Sequence, residues 1–414
     1  MLLTRPSRPQ LALLVCFLAT YVLAGAYLRI LAAPDPSSYF FNPAKGYSRH
    51  YTDARIREAN DFIAQDWSDT TRHLAGLNPS ICIGVPTVQR TNARYFRTTI
   101  GSLLRDLSND ERLDIKLMPF IANPVSSEHQ AFGERWLSHL VDDTLTFEQI
   151  PESDKAMLRQ LDGANAHMAK TLFDYRFVLE RCYLTGAPYV LVLEDDVIAA
   201  PSWYNHTKGA IRELESQPQV EYERSLYLRL FYNTRIQGWN SELWLHYLFW
   251  SMTFELFLTT GLLCLRRYNQ KAAQVLSLRA LVIIVCALAP ACVGLYFAAG
   301  RLTVQPYRHG IHRMDNYGCC SQALLFPRAQ IPPLLQHLRD RIGNVDTLIE
   351  RYANDFFLAR WALSPSVFQH VGSRSSKWTG NDGSKEFSTF DRDGLRSTER
   401  IWNFQFEDWE HYMD

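Results

Sequence analysis

Three consecutive carboxylates are the clearest chemical feature of the sequence. Glu194, Asp195 and Asp196 directly follow the apolar run Tyr189–Leu193, whose letters YVLVL predict a buried strand. Carboxylate oxygens suit hard cations such as Mg²⁺ and Mn²⁺, which accept one or two protein carboxylates together with phosphate oxygens and water. The triplet therefore predicts a metal-bound diphosphate at the end of this strand. The alternative is a solvated acidic loop.

A histidine near the other end of the chain is a second candidate ligand. His370 follows the apolar pair Val367 and Phe368 within the letters SPSVFQHVG. Two interpretations remain open, a metal ligand and a hydrogen-bonded histidine of the core.

The flanking segments predict an α/β fold. Short apolar runs predict strands at residues 81–85, 115–122 and 321–326, and helical spacing predicts helices from residue 95, over 165–184 and from Pro332 or Pro333. Residues 344–363 are also predicted to be helical. Their core face is expected to comprise Leu348, Ile349, Tyr352, Phe356 and Leu358. The alternation indicates a βαβ sheet, in which ligands bind at the carboxyl ends of parallel strands.

Composition narrows the functional classes. The chain has 414 residues, of which 47% are hydrophobic, and its 43 Lys and Arg balance its 43 Asp and Glu. A balanced charge excludes a basic nucleic-acid-binding protein. No glycine-rich phosphate loop accompanies the acidic triplet.

Three apolar runs predict a membrane topology. The predicted parts are a cytoplasmic tail at 1–10, a transmembrane anchor at 11–28, a luminal stem at 29–78, a catalytic domain in two parts at 79–242 and 301–414, transmembrane helices at 243–265 and 280–300, and a cytoplasmic loop at 266–279. Arg5 and Arg8 precede the first run, and the 266–279 connector is basic. The positive-inside rule therefore leaves the N-terminus in the cytoplasm. A cleaved signal peptide is the alternative for the first run.

Luminal cysteines and one sequon agree with this topology. Cys82, Cys182, Cys319 and Cys320 allow three complete disulfide pairings. Closure between Cys319 and Cys320 would form a strained small ring, so pairing with Cys82 and Cys182 is geometrically easier, although the sequence does not choose. Asn205 begins the sequon Asn-His-Thr and is the predicted N-glycosylation site.

Three segments, in order, resemble a known enzyme family. YVLVLEDDVIAAPSWYNHTKGAI, NVDTLIERY and SPSVFQHVGSRSSK are similar to GT-A glycosyltransferases related to the branching N-acetylglucosaminyltransferase IV family. The hairpin inserted after the acidic motif resembles a narrower family, the Golgi GPI-N-acetylgalactosamine transferases of the post-GPI-attachment factor four type. The resemblance covers residues 81–377. It implies a Rossmann-like GT-A domain that is split by a transmembrane helical hairpin.

The resemblance also implies a reaction and a donor site. The reaction is transfer of N-acetylgalactosamine from UDP-GalNAc to the first mannose of the glycan on GPI-anchored proteins, at the Golgi membrane. Glu194, Asp195 and Asp196 match the donor motif, with Asp196 as the direct ligand of Mn²⁺ or Mg²⁺. His370 matches the family's C-terminal histidine, with a metal or diphosphate role. Arg90 and Lys377 are candidates for donor binding or solvated cations.

Two acidic residues are candidates for the catalytic base. Asp346 matches an acidic position of related enzymes, where a base deprotonates the acceptor hydroxyl, although it is also placed to cap a helix. Asp355 is the second candidate. An inverting displacement needs such a base together with a cation that offsets the charge of the leaving UDP. The alternatives to the reaction are a branching N-acetylglucosaminyltransferase acting on N-glycans and a non-enzymatic membrane scaffold.

Overall fold

The computed structural model describes residues 7–67, 75–90, 93–159, 163–316, 318–372 and 397–412. The α-helices are α1 (Arg8–Leu31), α2 (Pro43–Gly46), α3 (His50–Ile63), α4 (Tyr95–Leu104), α5 (Asn109–Leu113), α6 (Arg135–Leu140), α7 (Glu152–Arg159), α8 (Gly163–Tyr183), α9 (Trp203–Glu215), α10 (Gln219–Glu223), α11 (Trp244–Tyr268), α12 (Gln270–Val275), α13 (Leu278–Ile283), α14 (Ala289–Ala298), α15 (Arg301–Val304), α16 (Ile331–Leu338), α17 (Val345–Asp355) and α18 (Ser397–Arg400). A π-helical turn, Ile284–Leu288, joins α13 to α14.

The strands are β1 (Ile81–Thr87), β2 (Ile115–Ile121), β3 (Leu145–Thr146), β4 (Tyr189–Leu193), β5 (Val197–Ala199), β6 (Ser225–Arg229), β7 (Gly310–Arg313), β8 (Ala323–Pro327), β9 (Ala359–Ser364) and β10 (Phe368–His370). Eight of them form one sheet in the order β3-β2-β1-β4-β8-β6-β9-β7, and β5 pairs with β10.

The chain divides into two compact units, of which the first holds the apolar helices. It comprises Met1–Ser48 and Thr234–Pro306. Three segments of the described chain are long and apolar enough to cross a membrane: Arg8–Leu31, Thr234–Tyr268 and Leu278–Ala298. Tyr21 donates from α1 to the carbonyl of Ala291 in α14 at 3.1 Å. The apolar helices that the sequence predicted are therefore present.

The second unit, Arg49–Asn233 and Tyr307–Asp414, is built around the central sheet. Strands β3, β2, β1 and β4 are parallel, β8 is antiparallel to both β4 and β6, and β6 and β9 are parallel. One hydrophobic cluster includes side chains of α4, α9 and the sheet, and another includes side chains of α8, α16, α17 and the sheet. The predicted α/β class is confirmed, although the sheet is mixed rather than built only of βαβ units.

The helix predicted over 344–363 ends earlier than expected. α17 ends at Asp355, and Phe357 has a φ of 53°, in the left-handed region that ends helices. The amide of Leu358 returns to the carbonyl of Ala353 at 2.8 Å, and residues after it form β9. Phe356 is 56% exposed, so its predicted place in the core was wrong.

Candidate functional site

The acidic triplet lies in the turn between β4 and β5, at the carboxyl end of β4. Asp195 and Asp196 are 4% and 6% exposed, and Glu194 is half-buried. The backbone of Val371 donates to the carbonyl of Asp196 at 2.9 Å. This bond continues the β5–β10 pairing and brings the C-terminal segment onto the triplet.

His370 faces Asp196 across this pairing. It is opposite Val197 in the antiparallel register, and its Nε2 is 3.6 Å from Oδ2 of Asp196. Burial alone would lower the pKa of His370, but the nearby charge of the Asp196 carboxylate raises it overall. Burial alone would raise the pKa of Asp196, but His370 and then Arg90 lower it. The structure thus brings together two residues that are 174 positions apart in the numbering of the sequence.

A glycine allows this close approach. A Cβ on Gly372 would lie 2.1 Å from Oδ2 of Asp196 and 2.9 Å from Nε2 of His370. No side chain fits there without displacing the carboxylate or the imidazole. The glycine of the FQHVG letters is therefore required by the site itself.

Arg90 supplies the positive charge next to the triplet. One of its terminal nitrogens lies 2.6 Å from Oδ1 of Asp195 and 3.5 Å from Oδ2 of Asp196. Its guanidinium also lies over the ring of Tyr95, 5.3 Å from the centroid. Burial raises the pKa of Asp195, and Arg90 opposes that shift. The arginine therefore neutralises part of a buried negative charge.

A cleft opens beside Asp195. Its lining includes Thr87, Arg90, Tyr95, His129, Glu134 and Asp195. The hydroxyl of Thr87 donates to Oδ2 of Asp195 at 2.7 Å. That of Thr99 lies 2.8 Å from the carbonyl of Asp195 and 2.7 Å from that of Val197, which holds the turn in place.

Glu194 points toward the start of β8. Its Oε1 accepts from the hydroxyl of Ser321 at 2.8 Å, and its Oε2 accepts from the side-chain amide of Gln322 at 3.3 Å. The backbone of Glu194 also donates to the carbonyl of Gln322 at 3.0 Å. The sequence did not identify Ser321 or Gln322, because their contact depends on the antiparallel placement of β8. The only signal available was their position at the start of a predicted strand.

The disulfides pair differently from the geometrically easier pairing expected. Cys82 on β1 is bonded to Cys182 on α8, with a Cα–Cα distance of 5.5 Å, and Cys319 is bonded to Cys320. Because α8 packs directly on β1, Cys82 and Cys182 already face each other in the core. Arg229 donates to the carbonyls of both Cys319 and Cys320, so the second pair lies at the carboxyl end of β6.

The two candidate bases lie at opposite ends of α17. Asp346 is in the first turn, where its carboxylate accepts a hydrogen bond from the backbone amide of Thr347 at 2.7 Å. Burial alone would lower the pKa of Arg229, but nearby groups raise it overall, and the charge of Asp346 is one of the smaller contributions to this rise. Arg229 ends β6, so Asp346 lies at the same edge of the sheet as the acidic triplet. Asp355 is exposed in the last turn, near the beginning of β9. The structure does not bring Asp355 to the triplet.

The remaining predicted residues are located as follows. Asn205 is exposed on α9 and donates to Glu111 at 2.6 Å. Lys377 lies outside the described residues.

The side chains around the acidic triplet provide only some of the ligands that a metal ion needs. Among the residues described, no group of three or more His, Cys, Asp or Glu side chains is arranged to hold a metal ion. Asp196 and His370 nevertheless offer an oxygen and a nitrogen on one side of the turn, and Oδ1 of Asp196 is buried without a hydrogen-bond partner in the described chain. An unpaired buried carboxylate oxygen is costly. Two protein ligands suit a cation whose remaining ligands come from phosphate and water.

Comparison with known protein families shows to which family the chain belongs. The family described as GPI-N-acetylgalactosamine transferase PGAP4 matches residues 81–369, well over half of the sequence. The chain belongs to this family. The match includes the acidic triplet, the two apolar helical segments between residues 234 and 298, and the first two residues of β10, and it ends one residue before His370. The resemblance seen in the sequence is therefore confirmed, and with it the class of glycosyltransferases.

Curated relatives at 27–28% identity are N-acetylglucosaminyltransferases. Alpha-1,3-mannosyl-glycoprotein 4-beta-N-acetylglucosaminyltransferase A of Gallus gallus is 27% identical over 158 residues, and that of Bos taurus is 28% identical over 161 residues. Each alignment covers 35% of this chain and 29% of the relative. The C enzyme of Macaca fascicularis is 27% identical over 156 residues, covering 35% and 32%. The chain thus matches only about three tenths of the length of these relatives.

Proposed function

We propose that this protein is a Golgi glycosyltransferase that transfers N-acetylgalactosamine from UDP-GalNAc to the first mannose of the GPI glycan. The observation that carries the proposal is the acidic triplet at the carboxyl end of β4, beside an open cleft and inside the matched region. Ligands of open α/β sheets bind at that edge. The description of the matched family supports N-acetylgalactosamine as the sugar and a GPI glycan as the acceptor.

The proposed architecture is a GT-A domain split by a membrane hairpin. Residues 79–242 and 301–414 form its two parts, residues 243–265 and 280–300 the hairpin, 266–279 a cytoplasmic loop, 11–28 the anchor after the tail at 1–10, and 29–78 the stem. Parallel strands β3, β2, β1 and β4 support a Rossmann-like first half. Two disulfides support an oxidising lumen as the compartment of the sheet.

The donor diphosphate is proposed to bind at Asp196 and His370 through Mn²⁺ or Mg²⁺. Both residues offer ligand atoms on the same side of the turn, and Gly372 allows their close approach. A divalent cation held there would offset the negative charge of the leaving UDP. Arg90 and Asp195 border the cleft, where they are placed to orient the nucleotide. Glu194, held by Ser321 and Gln322, is assigned to the donor sugar.

Asp346 is proposed as the base that takes the proton of the acceptor hydroxyl. It lies at the carboxyl edge of the sheet, on the side of Arg229, whereas Asp355 lies at the far end of α17. In the proposed inverting displacement, the mannose oxygen attacks the anomeric carbon of the donor sugar as UDP leaves, and a carboxylate takes the proton of the attacking hydroxyl. The proton moves to Asp346.

Donor choice by the purified full chain tests the proposal. The protein in detergent is given UDP-GalNAc or UDP-GlcNAc with Mn²⁺ and a GPI-anchored acceptor, beside an Asp196→Ala variant. Transfer of GalNAc that is lost in the variant is the expected result. Transfer of GlcNAc to an N-glycan instead would favour the branching reaction of the curated relatives. Lack of transfer from either donor would favour a membrane scaffold.

The proposed luminal placement of the sheet is tested separately, by N-glycosylation. Asn205 is exposed on α9, so a luminal sheet is expected to carry an N-glycan there. Endoglycosidase treatment is expected to shift the wild-type protein on a gel and to leave an Asn205→Gln variant unchanged. A wild-type protein without a glycan would speak against the luminal placement.

A further inference from the structure

Two buried polar side chains form a hydrogen-bonded chain that ends on Asp195. The hydroxyl of Thr87 donates to Oδ2 of Asp195 at 2.7 Å, and Nε2 of His129 lies 3.1 Å from the same hydroxyl. Thr87 and His129 are 2% and 6% exposed. They are 42 positions apart, so the contact arises only when β1 and the loop after β2 come together.

The direction of each hydrogen bond follows from the number of protons. A threonine hydroxyl has one proton, which Thr87 gives to Asp195, so it accepts from Nε2–H of His129. Nδ1 of His129 accepts the backbone N–H of Ala131 at 3.2 Å, which leaves the proton on Nε2. Burial lowers the pKa of His129 to about 4, so the ring is neutral at neutral pH. Every polar atom of the two side chains is thereby engaged.

Together with Arg90, these hydrogen bonds engage both oxygens of the Asp195 carboxylate. Arg90 binds Oδ1 at 2.6 Å, and Thr87 binds Oδ2. The histidine itself is held by the edge of Phe96, with ring centroids 5.7 Å apart and planes at 80°. The hydroxyl of Thr87 therefore cannot rotate without losing a hydrogen bond to Asp195 or to His129. The orientation of the Asp195 carboxylate thus depends on two separate segments of the chain, one with Thr87 and Arg90 and the other with His129.

We propose that His129 and Thr87 are positioning residues that orient Asp195, and through it Arg90, for binding of the donor nucleotide. The inference rests on the proposed function, because it presumes that a nucleotide enters the cleft. Thr87 and His129 act through Asp195 and do not perform chemistry. Their loss should weaken nucleotide binding, whereas the rate of the bound complex should change little.

Calorimetry on the full chain in detergent tests this proposal by measuring the binding of UDP in the presence of Mn²⁺. The contact from His129 through Thr87 to Asp195 is called the relay below. Thr87→Val removes the donor at constant shape and is expected to raise Kd about tenfold, as for a hydrogen bond to a charged group. Thr87→Ser retains the hydroxyl and should remain within about twofold. Thr98→Val is the matched control, since Thr98 is also buried but donates to Asn60, away from Asp195.

A double-mutant cycle separates a relay from two independent contacts. His129→Phe is expected to raise Kd about threefold, and adding it to Thr87→Val should raise Kd no further, because His129 acts only through Thr87. KM for the donor should follow Kd, with kcat nearly constant.

Three results would overturn the relay: fully additive effects of the two substitutions on Kd, an unchanged Kd in Thr87→Val, or an equal rise of Kd in Thr98→Val. Should Thr87→Val not fold, an unchanged Kd in His129→Phe would overturn it alone. A wild-type protein that fails to bind UDP would instead overturn the proposed function, and the relay with it.

Discussion

The guanidinium of Arg90 lies 2.6 Å from Oδ1 of Asp195, and both side chains are largely buried, at 12% and 5% exposure. The same nitrogen is 3.5 Å from Oδ2 of Asp196. One arginine therefore compensates two carboxylates that burial would otherwise make expensive. Removing Arg90 should therefore affect the stability of the fold as well as the proposed donor site.

Arg90→Met is expected to lower the free energy of unfolding by about 3 kcal/mol, because breaking a buried ion pair leaves an uncompensated charge. Chemical denaturation followed by tryptophan fluorescence measures the change. Arg94→Met is the control, since the side chain of Arg94 is 54% exposed in its pair with Glu134. The control should change stability by about 0.5 kcal/mol or less. Equal losses in both variants would contradict the assignment.

Manganese should compensate for the missing arginine. In Arg90→Met, the carboxylates of Asp195 and Asp196 lose the neighbouring guanidinium, so added Mn²⁺ should raise the thermal midpoint more than in the wild type. The double variant Arg90→Met/Asp196→Asn should lose this added response. A response of equal size in all three proteins would indicate cation binding elsewhere.

The two ends of α17 predict different kinetics. Asp346→Asn should lower kcat about 10³-fold, the usual contribution of a general base, and leave the Kd of UDP unchanged. Asp355→Asn should retain wild-type rates, because Asp355 is exposed at the far end of the helix. Transfer assays on both variants decide between them. Loss of activity only in Asp355→Asn would reverse the assignment of the base.

Local patterns predicted the parts of the site, and tertiary placement decided how they meet. The segment YVLVL followed by three carboxylates predicted β4 and its acidic end, because a short apolar run of five residues is typical of a buried strand. The strand β9 was missed because its letters ARWALS continue an amphipathic pattern, and only the left-handed turn at Phe357 separates them from α17. The contact of Thr87 with His129 and the pairing of Cys82 with Cys182 join distant segments, and no local periodicity reports such contacts.

Gly372→Ala should abolish transfer. The new Cβ would lie 2.1 Å from Oδ2 of Asp196, so the carboxylate or the C-terminal segment must shift. Because His370 and Asp196 share this space, binding of UDP with Mn²⁺ should weaken together with activity. Gly209→Ala on α9 is the matched control, since its Cβ would meet no heavy atom within 4 Å. Normal activity of Gly372→Ala would show that the triplet and His370 need not remain adjacent.

The neutral state of His129 predicts a loss of stability in acid. Its pKa in the folded protein is lowered to about 4 by burial, below the 6.5 of an exposed histidine. A depressed pKa means that the stabilisation is complete above pH 6.5 and is lost as the pH falls toward 4, up to about 3 kcal/mol. His129→Phe has no such group. The difference in unfolding midpoint between wild type and His129→Phe should therefore narrow or reverse between pH 7 and pH 4, whereas parallel curves would show that His129 titrates alike in the folded and unfolded chains.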